Sequence, residues 1–567
     1  MGLPHRLQAL RSKASSFSRR VLGPSIPTEP ILPQPSCSIS LTAGYHSTHL
    51  KLRNIPHKFT FPRALYPFLV LWLTVFILLI RQQYYHPSSP EILGCTAAPW
   101  NDWPPDNCGV NGTNCLQDLL DMDGKKFRCL GGCKYVTLGN PRWVGDEKVD
   151  KASLLIGGGD KEGTYRADSW ICAAAIQSSL ISSSMGGCVR FHALPFRDGF
   201  STFLPLSSHG LHSNSFAPWY PGAFRLSSLS STGCFDLHFI ITGINAFCLF
   251  ITAIFLSPPP YLLFTILLVL GYFHIVLFSD IPSPTPDWSN IFAGLPPVMM
   301  TGYWLWKVSF KHTMLGFRGL TIEQASWQGA GYWIGIESST IFARLPITRL
   351  GYDPLDPAGV VAFAVIVVIV VIVVLIQAWE LRRVGLLRYY LIRYLPLIPV
   401  IIILVYVPGY TLRIHHYILA IIAIPLLCLP NRISLFSQAF MLGLFLDGVG
   451  RWGWASILEQ TTTLIGDGNS GTLIPTFFAN TTTPNLLQWS HFRTIDPLYN
   501  ITGYSVLIDD LQHLPNYLNN TLDISQLNLL EGINHHFRVA YIANGTSLDF
   551  TDPVTRWSNG SWGQSVS

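Results

Sequence analysis

Long apolar runs and polar stretches alternate along this chain. The first apolar run, Leu65–Ile80, contains one polar residue, Thr74, and with its flanking aromatic residues it reaches the roughly 20 residues that cross a bilayer. Further apolar runs occupy residues 237–256, 261–278, 291–309, 358–377, 394–410, 414–430 and 433–450. We therefore predict one span at residues 61–82 and a polytopic transmembrane domain over residues 235–452.

The number of spans decides which side of the membrane the tail occupies. Eight spans would leave the tail in the cytoplasm and would turn Arg382, Arg383 and their neighbouring arginines outward, against the positive-inside rule. One extra crossing at residues 324–343 removes both conflicts, and its Gly and Ser residues suit close helix packing. Glu337 disfavours a lipid-facing helix there, so a packed or re-entrant segment stays open. We expect nine spans, with seven or eight of them in residues 235–452.

The segment before the first span is polar and basic. Residues 1–60 are rich in Ser and Pro, and residues 1–63 contain nine Lys or Arg against one acid, Glu29. A basic arm can bind nucleic acid, but a span follows immediately, which favours a cytoplasmic anchor. We predict a disordered cytoplasmic arm over residues 1–60, a signal-anchor helix at residues 61–82 and no nucleic-acid partner.

Composition and cysteine placement extend this picture. Charged residues make up 12% and hydrophobic residues 49% of the 567 residues, which is unusual for a soluble protein. Seven of the eleven cysteines cluster in one polar segment: Cys95, Cys108, Cys115, Cys129, Cys133, Cys172 and Cys188. This clustering indicates disulfides in an oxidising compartment. Zinc is the alternative, but the spacings lack a nearby His pair, so we expect no metal.

Glycosylation sequons flank the membrane runs on both sides. None lies between Leu130 and Phe478, and the six sequons begin at Asn111, Asn480, Asn500, Asn519, Asn544 and Asn559. The polar tail, residues 474–567, contains two strand-like runs, Tyr504–Ile508 and Phe537–Ile542. We predict a glycosylated β-sandwich in the tail, on the same non-cytoplasmic side as the Cys-rich domain at residues 90–229.

Within the Cys-rich domain, Thr164–Ile181 (TYRADSWICAAAIQSSLI) changes from polar to helical character. Asp168 or Ser169 can cap a helix by accepting a backbone N–H group, and Ala173–Ala175 have high helix propensity. We predict a core helix that one disulfide through Cys172 ties down. A direct role in ligand binding is the alternative.

This stretch resembles the signature of the LCCL domain, a module of factor C and cochlin-like proteins. The resemblance rests on YRADSWICAAAI, on the preceding segment Cys129–Cys133 and on the following Gly186–Cys188. It implies an α+β domain with a Cys133–Cys172 disulfide, and Cys129 would then pair upstream, with Cys115 as one candidate. The family helix continues with His-Ala-Gly, whereas this chain has Gln177 and two serines. Any role of that histidine therefore does not transfer.

The resemblance extends beyond this domain. Residues 106–113, 414–417 and 443–448 are similar to segments of fungal multi-pass LCCL-domain proteins, and the tail resembles a fibronectin type III domain. The fold class that this implies is an α-helical multi-pass membrane protein with a luminal or extracellular disulfide-bonded LCCL domain and a C-terminal β-sandwich-like domain. LCCL domains are regarded as binding modules, with glycan or lipid ligands suggested.

Ionisable residues near the predicted spans form a second candidate site. In the nine-span arrangement these residues share the luminal side: His238, His274, His415, His416 and Asp447. Histidine and carboxylate together can bind a metal, relay protons or activate water. Asp447 with His415 is the expected pair, and the alternative is that these side chains only reach the interface.

These patterns favour recognition over catalysis. The chain lacks a G-x-S-x-G elbow and Walker or dinucleotide motifs, so we expect no catalytic residue and no cofactor. We predict a membrane-anchored binding protein of the plasma membrane or endomembranes. Its N-terminus would be cytoplasmic, membrane lipid would surround it, and its LCCL domain would bind a glycan or lipid. The alternative is a transporter or metal-dependent intramembrane enzyme that uses the His/Asp cluster.

Overall fold

A computed structural model describes most of the chain. It covers residues 21–24, 26–34, 38–43, 46–51, 60–86, 90–100, 113–139, 141–195, 202–218, 220–230, 233–278, 286–342, 345, 357–408, 410–460, 472–478, 485–491, 501–527, 529, 532–543 and 545–564. The contacts divide the chain into two compact units. The helical unit comprises Met1–Tyr84 and Leu237–Glu459, and the sheet unit comprises Tyr85–Asp236 and Gln460–Ser567.

The secondary structure follows this division. The α-helices are α1 (Leu65–Tyr84), α2 (Thr113–Asp121), α3 (Ile171–Gln177), α4 (His238–Phe255), α5 (Pro260–Phe278), α6 (Trp288–Leu305), α7 (Lys311–Gly316), α8 (Thr321–Ile336), α9 (Ser338–Ile341), α10 (Pro357–Val384), α11 (Leu387–Tyr394), α12 (Leu397–Val405), α13 (His416–Ala423) and α14 (Arg432–Trp452). The strands are β1 (Ser38–Ala43), β2 (His46–Lys51), β3 (Glu91–Leu93), β4 (Lys126–Cys129), β5 (Arg142–Val144), β6 (Glu147–Val149), β7 (Tyr165–Arg166), β8 (Gly187–Pro195), β9 (Ser207–Ser208), β10 (Leu211–His212), β11 (Gly222–Leu229), β12 (Tyr410–Leu412), β13 (Leu458–Gln460), β14 (Phe477–Phe478), β15 (Leu486–Trp489), β16 (Ile501–Ile508), β17 (Leu511–Tyr517), β18 (Thr521–Asp523), β19 (His535–Ala543), β20 (Thr546–Ser547), β21 (Val554–Arg556) and β22 (Trp562–Gln564).

The helical unit is organised around α14, which packs closely against α8. Asn431 caps α14 by accepting the Ser434 backbone N–H at 2.7 Å, and Gly453 follows the helix with φ +66°. A Cβ atom at Gly335 would lie 2.2 Å from the Phe440 carbonyl oxygen, so only glycine permits this approach. The buried Tyr332 donates a hydrogen bond from α8 to the Leu267 carbonyl of α5 at 2.6 Å.

Six helical segments among the described residues are long and apolar enough to cross a membrane. They are 62–84, 238–255, 260–278, 357–384, 387–405 and 432–452. A shorter apolar segment, residues 416–427, coincides with the predicted run at 414–430. Residues 324–343 are helical through α8 and α9 with a break at Glu337. The predicted number of nine spans stays a prediction.

The basic arm departs from the sequence prediction where the structure describes it. Strands β1 and β2 pair as an antiparallel hairpin, with Ser38 opposite Lys51 and Ala43 opposite His46. The prediction of disorder for residues 1–60 is therefore wrong for this hairpin. Ser, Thr, Ile and Leu alternate in β1, and this local strand pattern was outweighed by the polar and basic character of the whole arm.

The disulfide-bonded part of the sheet unit is built on a five-stranded sheet with the order β3-β4-β8-β11-β7. The pair β3–β4 is parallel and the other neighbours are antiparallel. Helix α3 is buried along its whole length, and all its side chains except Gln177 are short or aliphatic. Stacked rings continue the core across three strands, from Tyr165 through Phe224 to Phe191. This core fixes the position of β7 and of the residues that follow it.

Helix α3 exists where the sequence predicts it, but its start differs. The capping position is Trp170, which provides no side-chain hydrogen bond. The Asp168 carboxylate binds Arg166 instead, and the Ser169 hydroxyl accepts the Ile156 backbone N–H at 3.0 Å. The prediction that Asp168 or Ser169 caps the helix is therefore wrong, because tertiary contacts use both side chains.

The disulfides also differ from the pairing that the resemblance implies. Cys129 bonds Cys172, and Cys133 bonds Cys95; a third bridge joins Cys188 to Cys234. The Cys133–Cys172 pairing is wrong. Cys129 ends strand β4, and Gly132, with φ +90°, turns the chain into the short helical turn Cys133–Tyr135. This turn also lies near α3, but its cysteine is taken by Cys95. Cys115 is disulfide-bonded too, but not to Cys129.

The tail forms two sheets around one core. The larger sheet has the order β17-β16-β19-β21-β22, with β20 beside β19, and the smaller one has the order β14-β15-β18. Leu487 and Trp489 of the smaller sheet pack with Tyr504 and Val539 of the larger one. The predicted strands Tyr504–Ile508 and Phe537–Ile542 are confirmed within β16 and β19.

Candidate functional site

The strongest polar cluster of the sheet unit is centred on Arg166, in strand β7. The side chain of Arg166 is 5% exposed, and it binds Asp168 in a two-point contact. Its Nε donates to Oδ1 of Asp168 at 2.8 Å, and its Nη2 donates to Oδ2 at 2.7 Å. The guanidinium carbon lies 4.5 Å from the ring centre of Tyr220, within cation–π distance. These contacts hold the guanidinium group in one orientation.

A residue of the tail completes this cluster. Nη1 of Arg166 donates to Oδ2 of Asp510 at 2.8 Å, and the same oxygen accepts the Gly145 backbone N–H at 2.9 Å. Asp510 lies in the two-residue turn between β16 and β17, where Asp509 and Asp510 have φ +55° and +64°. Two left-handed residues form the tight turn that matches strand twist, and Asp tolerates this conformation. The turn thus places a carboxylate against the disulfide-bonded domain.

The neighbouring Asp509 fixes the same turn from the tail side. Its Oδ2 lies 2.7 Å from Nδ1 of His535, and its Oδ1 accepts the backbone N–H of His536 at 2.8 Å. Both Asp509 and His535 are buried. The turn is therefore held at two points: Asp509 binds the adjacent strand β19 and Asp510 binds Arg166.

Burial and charge act in opposite directions on these groups. Burial alone would lower the pKa of Arg166, but Asp168, Tyr220 and Asp510 raise it well above its ordinary value. Burial raises the pKa of Tyr220 well above its ordinary value as well, and the carboxylate of Asp168 adds to this effect. Arg166 is therefore a permanent cation with two carboxylate partners, which gives this triad a formal charge of −1.

The triad lies at the wall of a cleft of about 390 Å3. Both parts of the sheet unit contribute lining residues: Val144, Gly145, Asp146, Glu147, Arg166, Thr202, Ser215, Phe216, Ala217, Pro218, Tyr220, Asp509, Asp510, Gly532, Ile533, Asn534, His536 and Ser558. The polar members of this wall include carboxylates, hydroxyl groups, an amide and a histidine. Such a wall offers many hydrogen-bond acceptors and donors for a polar ligand. We call this cavity the Arg166 cleft.

Gln177 occupies the position where the resemblance expects histidine. It is buried, its Oε1 accepts the Tyr165 hydroxyl at 3.0 Å, and its Nε2 donates to the Leu206 carbonyl at 2.8 Å. Burial raises the pKa of that Tyr165 phenol to about 12. Gln177 thus links α3 to β7 and to the loop at Leu206, which is a structural role.

Two of the predicted glycosylation sites lie in the part of the chain that the structure describes. Asn519 and Asn559 are both exposed, on turns of the tail. The Asn559 side chain accepts the backbone N–H of Ser561 at 2.9 Å. Asn111, Asn480, Asn500 and Asn544 lie outside the described residues.

The predicted His/Asp cluster of the helical unit forms two groups. His238 and His274 both approach Glu337, with Nε2–Oε distances of 3.5 and 3.3 Å. His416 is the histidine beside Asp447, with 3.9 Å between Nδ1 and Oδ2. Ser338 and Ser339, which directly follow Glu337, donate to Oδ2 of Asp447 at 3.0 and 2.6 Å.

The expected pair of Asp447 with His415 is wrong. His415 precedes helix α13 with extended backbone angles, so its side chain turns towards β13. Its Nε2 lies 3.2 Å from Oε1 of Glu459 and donates to the Ser456 carbonyl at 2.9 Å. No group of three His, Cys, Asp or Glu side chains within the described ranges could hold a metal ion.

Several residues of these sites were not predicted from the sequence, and the most important are Arg166, Asp510 and Glu337. Arg166 was part of the signature segment without an assigned role. The Asp-Asp pair between two strand-like runs signals a turn, but not its distant partner. Glu337 disfavours a lipid-facing span, and an ionisable residue in an apolar segment is itself a functional signal.

Comparison with known proteins identifies the disulfide-bonded part of the sheet unit. Residues 113–222 match the LCCL domain. This range includes Arg166, Asp168, Gly145 and Tyr220, so one wall of the Arg166 cleft belongs to the LCCL domain. The other wall, with Asp509, Asp510 and His536, belongs to the tail and lies outside the matched range.

A longer similarity covers both units. The chain is similar to the uncharacterized protein YIL067C of Saccharomyces cerevisiae, with 29% identity over an alignment of 502 residues. The alignment covers 81% of this chain and 72% of the yeast protein. No solved structure shows significant similarity to the chain.

Proposed function

We propose that this chain is a multi-pass membrane protein that displays its LCCL domain and tail on the non-cytoplasmic side as one recognition module. The Arg166 cleft would bind the ligand, a glycan. The observation that carries this proposal is the composite wall of the cleft, since Arg166 of the LCCL domain and Asp510 of the tail meet there at 2.8 Å.

The surface of the helical unit supports the membrane assignment. Helix α10 is the most apolar candidate span, and only 6% of the residues in its most apolar stretch are buried. Its Val and Ile side chains are instead exposed along nearly the whole helix. A water-exposed apolar surface of this extent would be unfavourable, whereas hydrocarbon accommodates it. The N-terminal arm would then be cytoplasmic, at the plasma membrane or an endomembrane.

The chemistry of the sheet unit supports the non-cytoplasmic side. Three described disulfides need an oxidising compartment. The sequon residues Asn519 and Asn559 are exposed and accessible to glycosylation. The tail, with two sheets around one core, would be a fibronectin type III-like sandwich.

The lining of the Arg166 cleft favours a glycan over a lipid. Polar side chains are distributed over the whole wall, so an acyl chain would leave many of them without hydrogen-bond partners. Sugar hydroxyl groups can both donate to carboxylates such as Asp146 and accept from amide groups such as Asn534.

Glycan binding to the full chain in lipid nanodiscs tests the proposal. Ser215 is an exposed residue of the cleft, and Ser215→Trp would fill it. Ser184→Trp, at an exposed position outside the cleft, is the matched control. We expect a glycan array to retain the parent and Ser184→Trp and to lose Ser215→Trp. Equal retention of both variants would refute the assignment to this cleft.

The side of the membrane has its own test. We expect endoglycosidase treatment to increase the electrophoretic mobility of the parent, and Asn559→Gln to remove part of that shift. A parent without glycans and with a protease-accessible tail on the cytoplasmic side of sealed vesicles would refute the orientation.

A further inference from the structure

The helical unit contains an apolar groove of about 340 Å3 between α4, α5 and α8. Apolar side chains from all three helices form most of its wall, among them Leu249, Ala253, Leu263, Leu267, Ala330 and Trp333. Ala330 and Phe250 are exposed at its edge, so the groove is open at the surface of the helical unit. This cavity is of the size that binds small ligands, roughly 300–1,000 Å3.

The helices that form this groove continue into the polar cluster at Glu337. On α4, the helical spacing of four, three, four and four residues aligns five side chains on one face: His238, Thr242, Asn245, Leu249 and Ala253. The first three are polar and the last two line the groove. Helix α5 has the same order in reverse, since Leu263 and Leu267 precede His274.

Helix α8 repeats the arrangement. Ala330 and Trp333 line the groove, and Glu337 follows one turn later on the same face. The ring of Trp333 contacts the ring of His274 edge-on, with 5.5 Å between the centroids. The groove and the polar cluster are therefore two ends of one site, apolar along its length and polar at its end.

Two short hydrogen bonds anchor the polar end from outside, from Trp72 Nε1 to Asn245 Oδ1 at 2.9 Å and between His238 and the Phe278 carbonyl. The contacts among its own side chains are longer. Thr242 Oγ1 lies 3.3 Å from His274 Nε2 and 3.3 Å from Glu337 Oε1. Asn245 Nδ2 lies 3.3 Å from His274 Nδ1. Hydrogen bonds of these types are usually about 2.7–3.0 Å long, so shorter bonds to a ligand can replace these contacts without a large penalty.

We infer that this site binds a membrane lipid with one acyl chain in the groove and an uncharged, hydroxyl-bearing headgroup at Glu337. The inference rests on the membrane placement proposed above. A hydroxyl group can donate to the carboxylate and accept from a histidine or from the Asn245 amide. A phosphate headgroup would meet the carboxylate of Glu337 with like charge, and the apolar wall offers nothing to a water-soluble ligand.

Photolabelling tests this site in the full chain reconstituted into nanodiscs. The probe is a monoacylglycerol with a diazirine in its acyl chain, and the comparison probe is a phosphatidic acid with the same chain. A Cβ atom at Gly329 meets nothing within 4 Å, so Gly329→Phe would extend into the groove. Gly243 also has open space within 4 Å and lies outside the groove on α4, which makes Gly243→Phe the matched control.

We expect Gly329→Phe to reduce monoacylglycerol labelling at least about tenfold and Gly243→Phe to leave it unchanged. Where Gly329→Phe does not fold, Ala330→Phe at the exposed edge tests the same space. Equal labelling of the groove and control variants overturns the site. Equal labelling by the two probes in the parent overturns the headgroup assignment. Release of the chain from membranes by alkaline carbonate would overturn the membrane placement on which this inference rests. Glycan retention is measured in a separate assay, so its failure would refute only the proposed role of the Arg166 cleft.

Discussion

The Arg166 cleft and the groove of the helical unit differ in how polar groups are distributed over their walls. In the Arg166 cleft, carboxylates and hydroxyl groups lie among apolar residues around the wall. In the groove of the helical unit, the wall is almost entirely apolar and the polar groups lie beyond one end, around Glu337. The first pattern matches a ligand with hydroxyl groups on all sides, and the second matches an amphiphile.

The difference also concerns how strongly each polar cluster is held. Arg166 makes three charge-assisted contacts of 2.7–2.8 Å, whereas the contacts around Glu337 are 3.3–3.5 Å long. A tightly paired cluster fixes the shape of its cavity, and a loosely paired one can exchange partners with a ligand. The cleft should therefore depend on Arg166 for its existence, while the groove should tolerate changes at its polar end.

The largest expected effect comes from breaking the Arg166 triad. Arg166→Ala leaves Asp168 and Asp510 buried without their cation, which we expect to cost about 3–5 kcal/mol of unfolding free energy in the sheet unit. Denaturant unfolding of the full chain measures this, with lipid photolabelling of the groove as the internal control. Arg166→Lys keeps the charge but not the two-point geometry and should cost less. A loss below about 1 kcal/mol for Arg166→Ala would contradict the triad's role.

Removing the Cys129–Cys172 disulfide should come next. The bridge ties α3 to β4, so the double variant Cys129→Ser with Cys172→Ser should lose about 2–5 kcal/mol. Cys248→Ser, at a free and half-buried cysteine of the helical unit, is the control with a small expected effect. The midpoint temperature of thermal unfolding, measured for both variants and the parent, gives the comparison. A similar small shift for both would mean that the bridge does not stabilise the fold.

A smaller effect should follow from alkaline pH. Because the pKa of Tyr165 is raised to about 12, its phenol is neutral in both states below pH 10, and ionises only in the unfolded chain between pH 10 and 12. Stability should therefore fall by about 2 kcal/mol as the pH rises through that interval. Tyr165→Phe should flatten this part of the pH profile. If stability falls with pH equally steeply in Tyr165→Phe, other groups cause the alkaline loss of stability.

The sequence predicted elements whose signal is local. Alternating β-branched and aromatic residues identified β16 and β19, and Ala173–Ala175 identified α3. The predictions from sequence were wrong where a side chain binds a partner that only the tertiary structure brings close. Asp168 and Ser169 look like caps, yet their partners Arg166 and Ile156 depend on how strands cross the domain.

The sites were predicted less well for the same physical reason. Asp510 is 344 residues from Arg166 in the chain, and no local pattern encodes that meeting. The histidines at 238 and 274 were named as candidates from the sequence, but their shared partner Glu337 depends on the packing of α8 against α4 and α5. Adjacent residues such as His415 and His416 also have different partners, which the position of the helix start decides.

The most direct test of two ligand sites with opposite patterns is glycan retention and lipid labelling measured on the same nanodisc preparation. We compare Ser215→Trp in the cleft with Gly329→Phe in the groove. The account predicts that Ser215→Trp loses glycan retention and keeps lipid labelling, and that Gly329→Phe does the reverse. Loss of both signals in both variants, or of neither signal in either, would contradict it.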